Sequence, residues 1–286
     1  MHILKDKLQI FITIIFLSFA GWQLSFQSVV RAQGLSVQWF GGTYGVVALI
    51  GACIGFFTAH KWGGFKTVLG KALMLFSLGL LAQELGQLIY TYYVYGAKTG
   101  IPYPSVGDIA YFGSVILYIL AAVFLGKAAG VKFSLQRNVY KVVAIVIPAA
   151  LLITSYAILL HHHQYDTHKP LTVLLDFGYP MGQATYISFA ITAYLLSRRL
   201  LGGIMRAGIS LIILALVVQY VSDFTFVYQN SHNLYVPGKF DDFFYLLAYF
   251  AMATALNKFR LIYVGLSKRA AGPAPEAAAP ATGGTA

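Results

Sequence analysis

A chain of 286 residues that is 58% hydrophobic and only 10% charged lies far below the roughly 25% charged content of soluble domains, which excludes an ordinary water-soluble fold. Its net charge of +11 is no nucleic-acid signal, because the charges fall between long apolar runs. A single cysteine, Cys53, excludes an intrachain disulfide framework and a cysteine-rich metal centre.

A hydrocarbon core about 30 Å thick needs roughly 20 apolar residues per helix. Eight stretches meet that length: 8–30, 37–59, 68–95, 106–129, 139–160, 171–197, 207–229 and 242–263. The runs are continuous rather than alternating, which argues against barrel strands and predicts an all-α integral membrane bundle of about eight transmembrane helices. The first stretch follows His2, Lys5 and Lys7; its apolar run is too long for a cleaved leader, and it reads as a retained helix.

Orientation follows from the basic residues. The N-terminus and the loops after the second, fourth, sixth and eighth stretches hold sixteen Lys and Arg, whereas the opposite side holds four, Arg31, Lys98, Lys169 and Lys239. This predicts both termini on the cytoplasmic side of the cell's inner (cytoplasmic) membrane. Residues 1–266 read as one polytopic membrane domain. Residues 267–286, built mainly of Ala, Pro, Gly and Thr, bury too little surface to offset ordering and read as a disordered cytoplasmic tail.

Seven acids, Glu84, Asp108, Asp166, Asp176, Asp223, Asp241 and Asp242, map to the outer half of the membrane or the outer loops. Three start an Asp-x-x-Tyr pattern near the outer ends of even-numbered stretches: Asp108–Tyr111, Asp176–Tyr179 and Asp242–Tyr245. Positions i and i+3 share a helix face, so each pair sets a carboxylate beside a phenol. Two readings stand together: a helix-starting Asp that meets unpaired N–H groups, or a binding site. Glu84 and Asp223 lie about 16 residues into the third and seventh stretches, roughly 24 Å from the cytoplasmic surface. A carboxylate placed centrally in a membrane costs about 2.5–3.5 kcal/mol on insertion scales and normally faces the bundle interior. Gln83, Gln87, Gln219 and Ser222 stand near these two acids. The matched order of features in 83–111 and 219–245 predicts repeated helical hairpins pointing the same way, a parallel rather than inverted repeat.

The outer loop between the fifth and sixth stretches runs His161-His162-His163-Gln164-Tyr165-Asp166-Thr167-His168. His161, His163, His168 and Asp166 could bind a metal, although three consecutive histidines do not readily converge on one ion, and a solvated polar loop is the plainer reading. A metal-dependent membrane enzyme would draw on these residues or on Asp176. No nucleotide-binding glycine loop, Walker element or Ser/His/Asp spacing is present, and the last stretch lacks the central lysine that retinal attachment needs.

The outer segments Pro102-Tyr103-Pro104-Ser105-Val106-Gly107-Asp108, Asp176-Phe177-Gly178-Tyr179-Pro180-Met181-Gly182-Gln183 and Tyr235-Val236-Pro237-Gly238-Lys239-Phe240-Asp241-Asp242, in that order, resemble the multi-helix membrane sensor regions that precede diguanylate cyclase, phosphodiesterase or histidine kinase domains in bacteria and archaea. The resemblance covers the third to the eighth stretch. Gln183 stands where that family usually has Asp, and no output domain follows the eighth stretch. The resemblance therefore implies a non-enzymatic sensory or receptor-like module that detects a ligand, ion or proton at its outer face and signals to a separate cytoplasmic protein. The residues expected to read the ligand or proton are Glu84, Asp108, Tyr111, Asp176, Tyr179, Asp223, Asp242 and Tyr245. The alternative is a small-solute or proton-coupled transporter or channel that uses the intramembrane carboxylates. No cofactor is expected, and the expected partners are membrane lipid and a cytoplasmic signalling protein, not nucleic acid.

Overall fold

The structure, a computed structural model, describes residues 6–27, 35–99, 102–129, 138–157, 169–200, 204–231, 234, 238 and 240–270. Among these residues it is an all-α bundle without strands. The helices are α1 (Lys7–Gln27), α2 (Leu35–Thr43), α3 (Val46–Lys61), α4 (Val68–Thr91), α5 (Val106–Ala128), α6 (Asn138–Ser155), α7 (Pro170–Leu200), α8 (Arg206–Ser231) and α9 (Phe240–Ala270). Helices satisfy every backbone polar group within one segment, which is what an apolar solvent demands.

The described parts of each of the eight apolar stretches fall on helix, but the second is not continuous. It breaks between α2 and α3 at Tyr44 and Gly45, where the backbone tightens, with Val47 N donating to Tyr44 O at 3.2 Å and Ala48 N to Gly45 O at 2.8 Å. A Cβ at Gly45 would meet the end of the Glu84 side chain of α4, so a larger residue at this turn would make Glu84 shift. The third stretch ends in a wider π turn, Tyr92–Gly96. The last helix continues to Ala270, past the expected start of the tail, and 271–286 lie outside the described residues, as do His161, His163, Asp166 and His168.

Helix contacts run from α3 to α4, α5, α7, α8 and α9 and return to α3. Six helices thus close a ring, with α1 outside against α9 and α6 outside against α7. Phe76, Tyr118, Tyr186, Leu246 and Tyr249 fill the ring's middle and are almost wholly buried. Small residues let bulky rings in: Gly86 of α4 lies against the ring of Tyr111 on α5. Outward faces carry exposed Phe11, Ile14, Leu17, Ile116, Leu120 and Leu214. Among the described residues, five segments are long and apolar enough to cross a membrane, Lys7–Ser25, Trp39–Lys61, Val68–Gly96, Val106–Ala128 and Arg206–Phe226, a pattern compatible with a multi-pass membrane protein.

The start of α1 and the later part of α9 meet at one end of the bundle. Asp6 Oδ1 accepts from Arg260 Nη2 at 2.6 Å, and its Oδ2 accepts from Asn257 Nδ2 at 3.1 Å. Gln9 Nε2 donates to Thr254 Oγ1 at 3.0 Å, and its Oε1 accepts from Asn257 Nδ2 at 3.1 Å. Burial by itself would raise the Asp6 pKa, but the hydrogen bonds from Arg260, Asn257 and the Gln9 backbone, with the Arg260 charge, outweigh it and hold the carboxyl below its ordinary range. This is the basic end, reached also by Lys61 and Lys127 at the ends of α3 and α5. Asp108, Asp176, Asp223, Asp241 and Asp242 belong to the opposite, acidic end.

Candidate functional site

Five of the six ring helices, with the turn before α3 and the loop before α5, contribute to a cavity at the acidic end. Tyr44 comes from the turn that starts α3, Gln87 and Tyr90 from α4, Tyr103 from the loop before α5, and Asp108 and Tyr111 from α5. Tyr179 of α7, Asp223 and Phe226 of α8, and Asp242 and Tyr245 of α9 complete the wall.

Asp108 divides its two oxygens between local and distant work. Oδ2 accepts from the Ser105 backbone N–H at 2.7 Å and from Ser105 Oγ at 2.9 Å, holding the first turn of α5. Oδ1 accepts from Tyr90 of α4 at 3.1 Å and from Tyr179 of α7 at 3.3 Å. Asp242 does the same on α9: Oδ2 accepts from the Gly238 N–H at 2.5 Å, and Oδ1 from the Tyr44 hydroxyl at 3.4 Å. In each acid one oxygen serves the helix start and the other accepts from tyrosine hydroxyls that line the cavity.

The Asp-x-x-Tyr pairs do not pair internally. Tyr111 donates to Gln87 Oε1 at 2.9 Å, Tyr179 to Asp108, and Tyr245 to Asp223 Oδ1 at 2.7 Å. Asp176 accepts from Tyr103 at 2.8 Å. The shared helix face aims both side chains at the ring interior, where neighbouring helices offer partners that the rigid i, i+3 spacing does not.

Two parts of the wall match. Gln83 and Gln87 of α4 stand at the spacing of Gln219 and Asp223 of α8. Tyr111 on α5 bonds Gln87 as Tyr245 on α9 bonds Asp223, while Tyr44 reaches Asp242 as Tyr179 reaches Asp108. Asp223 also accepts from Gln219 Nε2 at 3.2 Å and from Gln183 Nε2. Gln183 thus supplies a donor where an Asp would bring a second negative charge.

Of the residues singled out from the sequence, Asp108, Tyr111, Tyr179, Asp223, Asp242 and Tyr245 line the cavity, and Glu84 and Asp176 do not. Asp176 anchors the lining residue Tyr103 from behind; burial, with Asp176 beside it, pushes the Tyr103 phenol well above its usual range, so it stays a donor. Glu84 is only 6% exposed, and its Oε2 has no hydrogen-bond partner; it sits at Gly45, beside the lining residues Tyr44 and Gln87. Sequence reasoning did not single out Tyr44, Gln87, Tyr90, Tyr103 or Phe226 as site residues. Gln87 had a signal in its spacing from Gln83, and Tyr103 in the Pro-Tyr-Pro-Ser segment, but Tyr44, Tyr90 and Phe226 carry no local motif.

The lining therefore holds three carboxylates and no Lys, Arg or His among the described residues. All six lining tyrosine hydroxyls donate to a carboxylate or to the Gln87 carbonyl, and Gln87 Nε2 donates to Gly41 O at 2.7 Å. With those donors engaged, the wall offers acceptor oxygens and aromatic rings, both of which attract positive charge. Among the described residues no three His, Cys, Asp or Glu side chains converge as a metal site would need. No protein-family model, curated protein or solved structure matches the chain.

Proposed function

We propose that this protein is a transporter that crosses the inner membrane eight times, with both termini cytoplasmic, and moves a small cationic solute taken up in the acidic cavity. The observation that carries the reading is the three-carboxylate wall, with no basic side chain among the described residues that line it. Buried negative charge of this kind is costly unless a cation compensates it. Glu84, with an unpartnered oxygen next to the wall, is the group that would take up or release a proton as the solute moves. The matched hydrogen bonds of α4–α5 and α8–α9 support descent from a repeated hairpin.

The test is flux in liposomes holding the purified full-length protein. Saturable uptake of an organic or inorganic cation, lost in Asp223→Asn, is the expected result; cation binding without flux through the intact protein would overturn transport. That second outcome favours the sensory reading, which rests on the ordered Pro-Tyr-Pro-Ser, Tyr-Pro and late Tyr-x-x-Gly segments. A separate cytoplasmic partner would then respond to the occupied cavity.

A further inference from the structure

Behind the cavity wall, Glu84 of α4 is 6% exposed, and its Oε2 is buried with no hydrogen-bond partner. The carboxyl lies against Gly45, where the missing Cβ leaves it room. One turn along the same helix face, Gln87 Nε2 donates to Gly41 O at 2.7 Å. Glu84 and Gln87 thus hold the break between α2 and α3 on either side, and Tyr44 lies between the two holds. The Tyr44 hydroxyl is 3.0 Å from Gln87 Oε1 and 3.4 Å from Asp242 Oδ1. A phenol has one hydrogen to give, so a small movement of the turn decides which acceptor receives it.

A buried carboxylate without a partner is costly, and a proton removes the charge. Once ionised, Glu84 is drawn to the positive end of the α3 dipole, at whose first turn it lies; once protonated, it is not. We propose that Glu84 binds a proton whose gain or loss moves the Tyr44 turn, and so makes or breaks the Tyr44–Asp242 link to α9 across the cavity wall. This deepens the proton role given to Glu84 above and rests on it, but not on flux. The titratable groups around the turn are Tyr111 of α5, bonded to Gln87, Tyr95 of the π turn beside Gly42, and Asp242 and Tyr249 of α9. Tyr249 stacks on Tyr44 with ring centroids 6.2 Å apart. None of these groups is basic, so none would hold Glu84 ionised.

The experiment follows the full-length protein in lipid nanodiscs through a pH series. Infrared difference spectra report the protonated carboxyl of Glu84, as the acid C=O band that Glu84→Gln removes. Fluorine NMR of protein grown with 3-fluorotyrosine reports Tyr44, as the signal that Tyr44→Phe removes. The acid band is expected to disappear as pH rises, and the Tyr44 signal to shift with the same midpoint. In Glu84→Gln the Tyr44 signal is expected to stay at its low-pH position throughout. Should Glu84→Gln not fold, Gly45→Ala, whose methyl displaces the carboxyl from the turn, is expected to keep the acid band and lose the Tyr44 shift. A Tyr44 signal that never moves, or that moves equally in these variants and so follows another acid such as Asp242, would overturn the link and leave the proton on Glu84 standing. An acid band that never appears, or never disappears, would remove the proton role itself. Cation uptake is decided separately, by Asp223→Asn in liposomes.

Discussion

At the basic end, Asp6 meets a guanidinium at 2.6 Å, and Asn257 and Gln9 close the network around it. At the acidic end, Asp108, Asp223 and Asp242 accept from phenols, amides, a serine hydroxyl and backbone N–H groups. Both sets of carboxylates are removed from bulk water and both are hydrogen-bonded. The difference is in the described partners: a guanidinium closes the first network, and no Lys, Arg or His among the described residues lines the cavity. One end works as a clasp between α1 and α9, and the other is the receptacle proposed above.

The largest test of this contrast is Asp223→Leu. It leaves Gln183, Gln219 and Tyr245 without their common acceptor, and is expected to destabilise the protein by about 3 kcal/mol and abolish cation binding, read by thermal unfolding and titration of the same sample. Arg260→Met should cost less, about 2 kcal/mol, and leave cation affinity within about twofold; a joint loss of affinity would show that the two ends are not separate. Gln183→Asp removes a donor and adds a charge beside Asp223, so the cation-free protein is expected to lose about 1 kcal/mol, recovered when an organic cation is added. A melting temperature unmoved by the cation in this variant would argue that the receptacle does not need one.

The smallest effect is the pH dependence of the clasp. Asp6 has a folded pKa held below its unfolded value of about 3.9. Its contribution is full above about pH 4 and is lost as pH falls through the folded value. The stability gap between wild type and Arg260→Met should therefore narrow on acidification below about pH 4, as followed by melting curves. A gap that widened would contradict the sign.

The helices were legible because an apolar solvent forces long uninterrupted runs, and those runs are written in order along the chain. The break at Tyr44–Gly45 lies inside one continuous apolar run and was not read from the sequence. Asp108 and Asp242 announced themselves by position, but the partners of their cavity-side oxygens did not. Tyr90 and Tyr179 are separated by 89 positions, and nothing local marks either as a ligand of one aspartate. With 20 tyrosines in the chain, residue type alone could not select the six that share the wall. Gln183 was not singled out as a site residue, and its role as a donor came only with Asp223 in contact.

The divided carboxylates of Asp108 and Asp242 bear on how mutational surveys of this protein should be interpreted. Because the same side chain holds its helix start and faces the cavity, alanine or leucine there removes both roles and registers as lost expression. A screen scored on abundance would file these positions with ordinary folding residues. Asparagine, which can still accept the backbone N–H of a helix start but carries no charge, separates the roles: protein level is kept, and activity is what disappears.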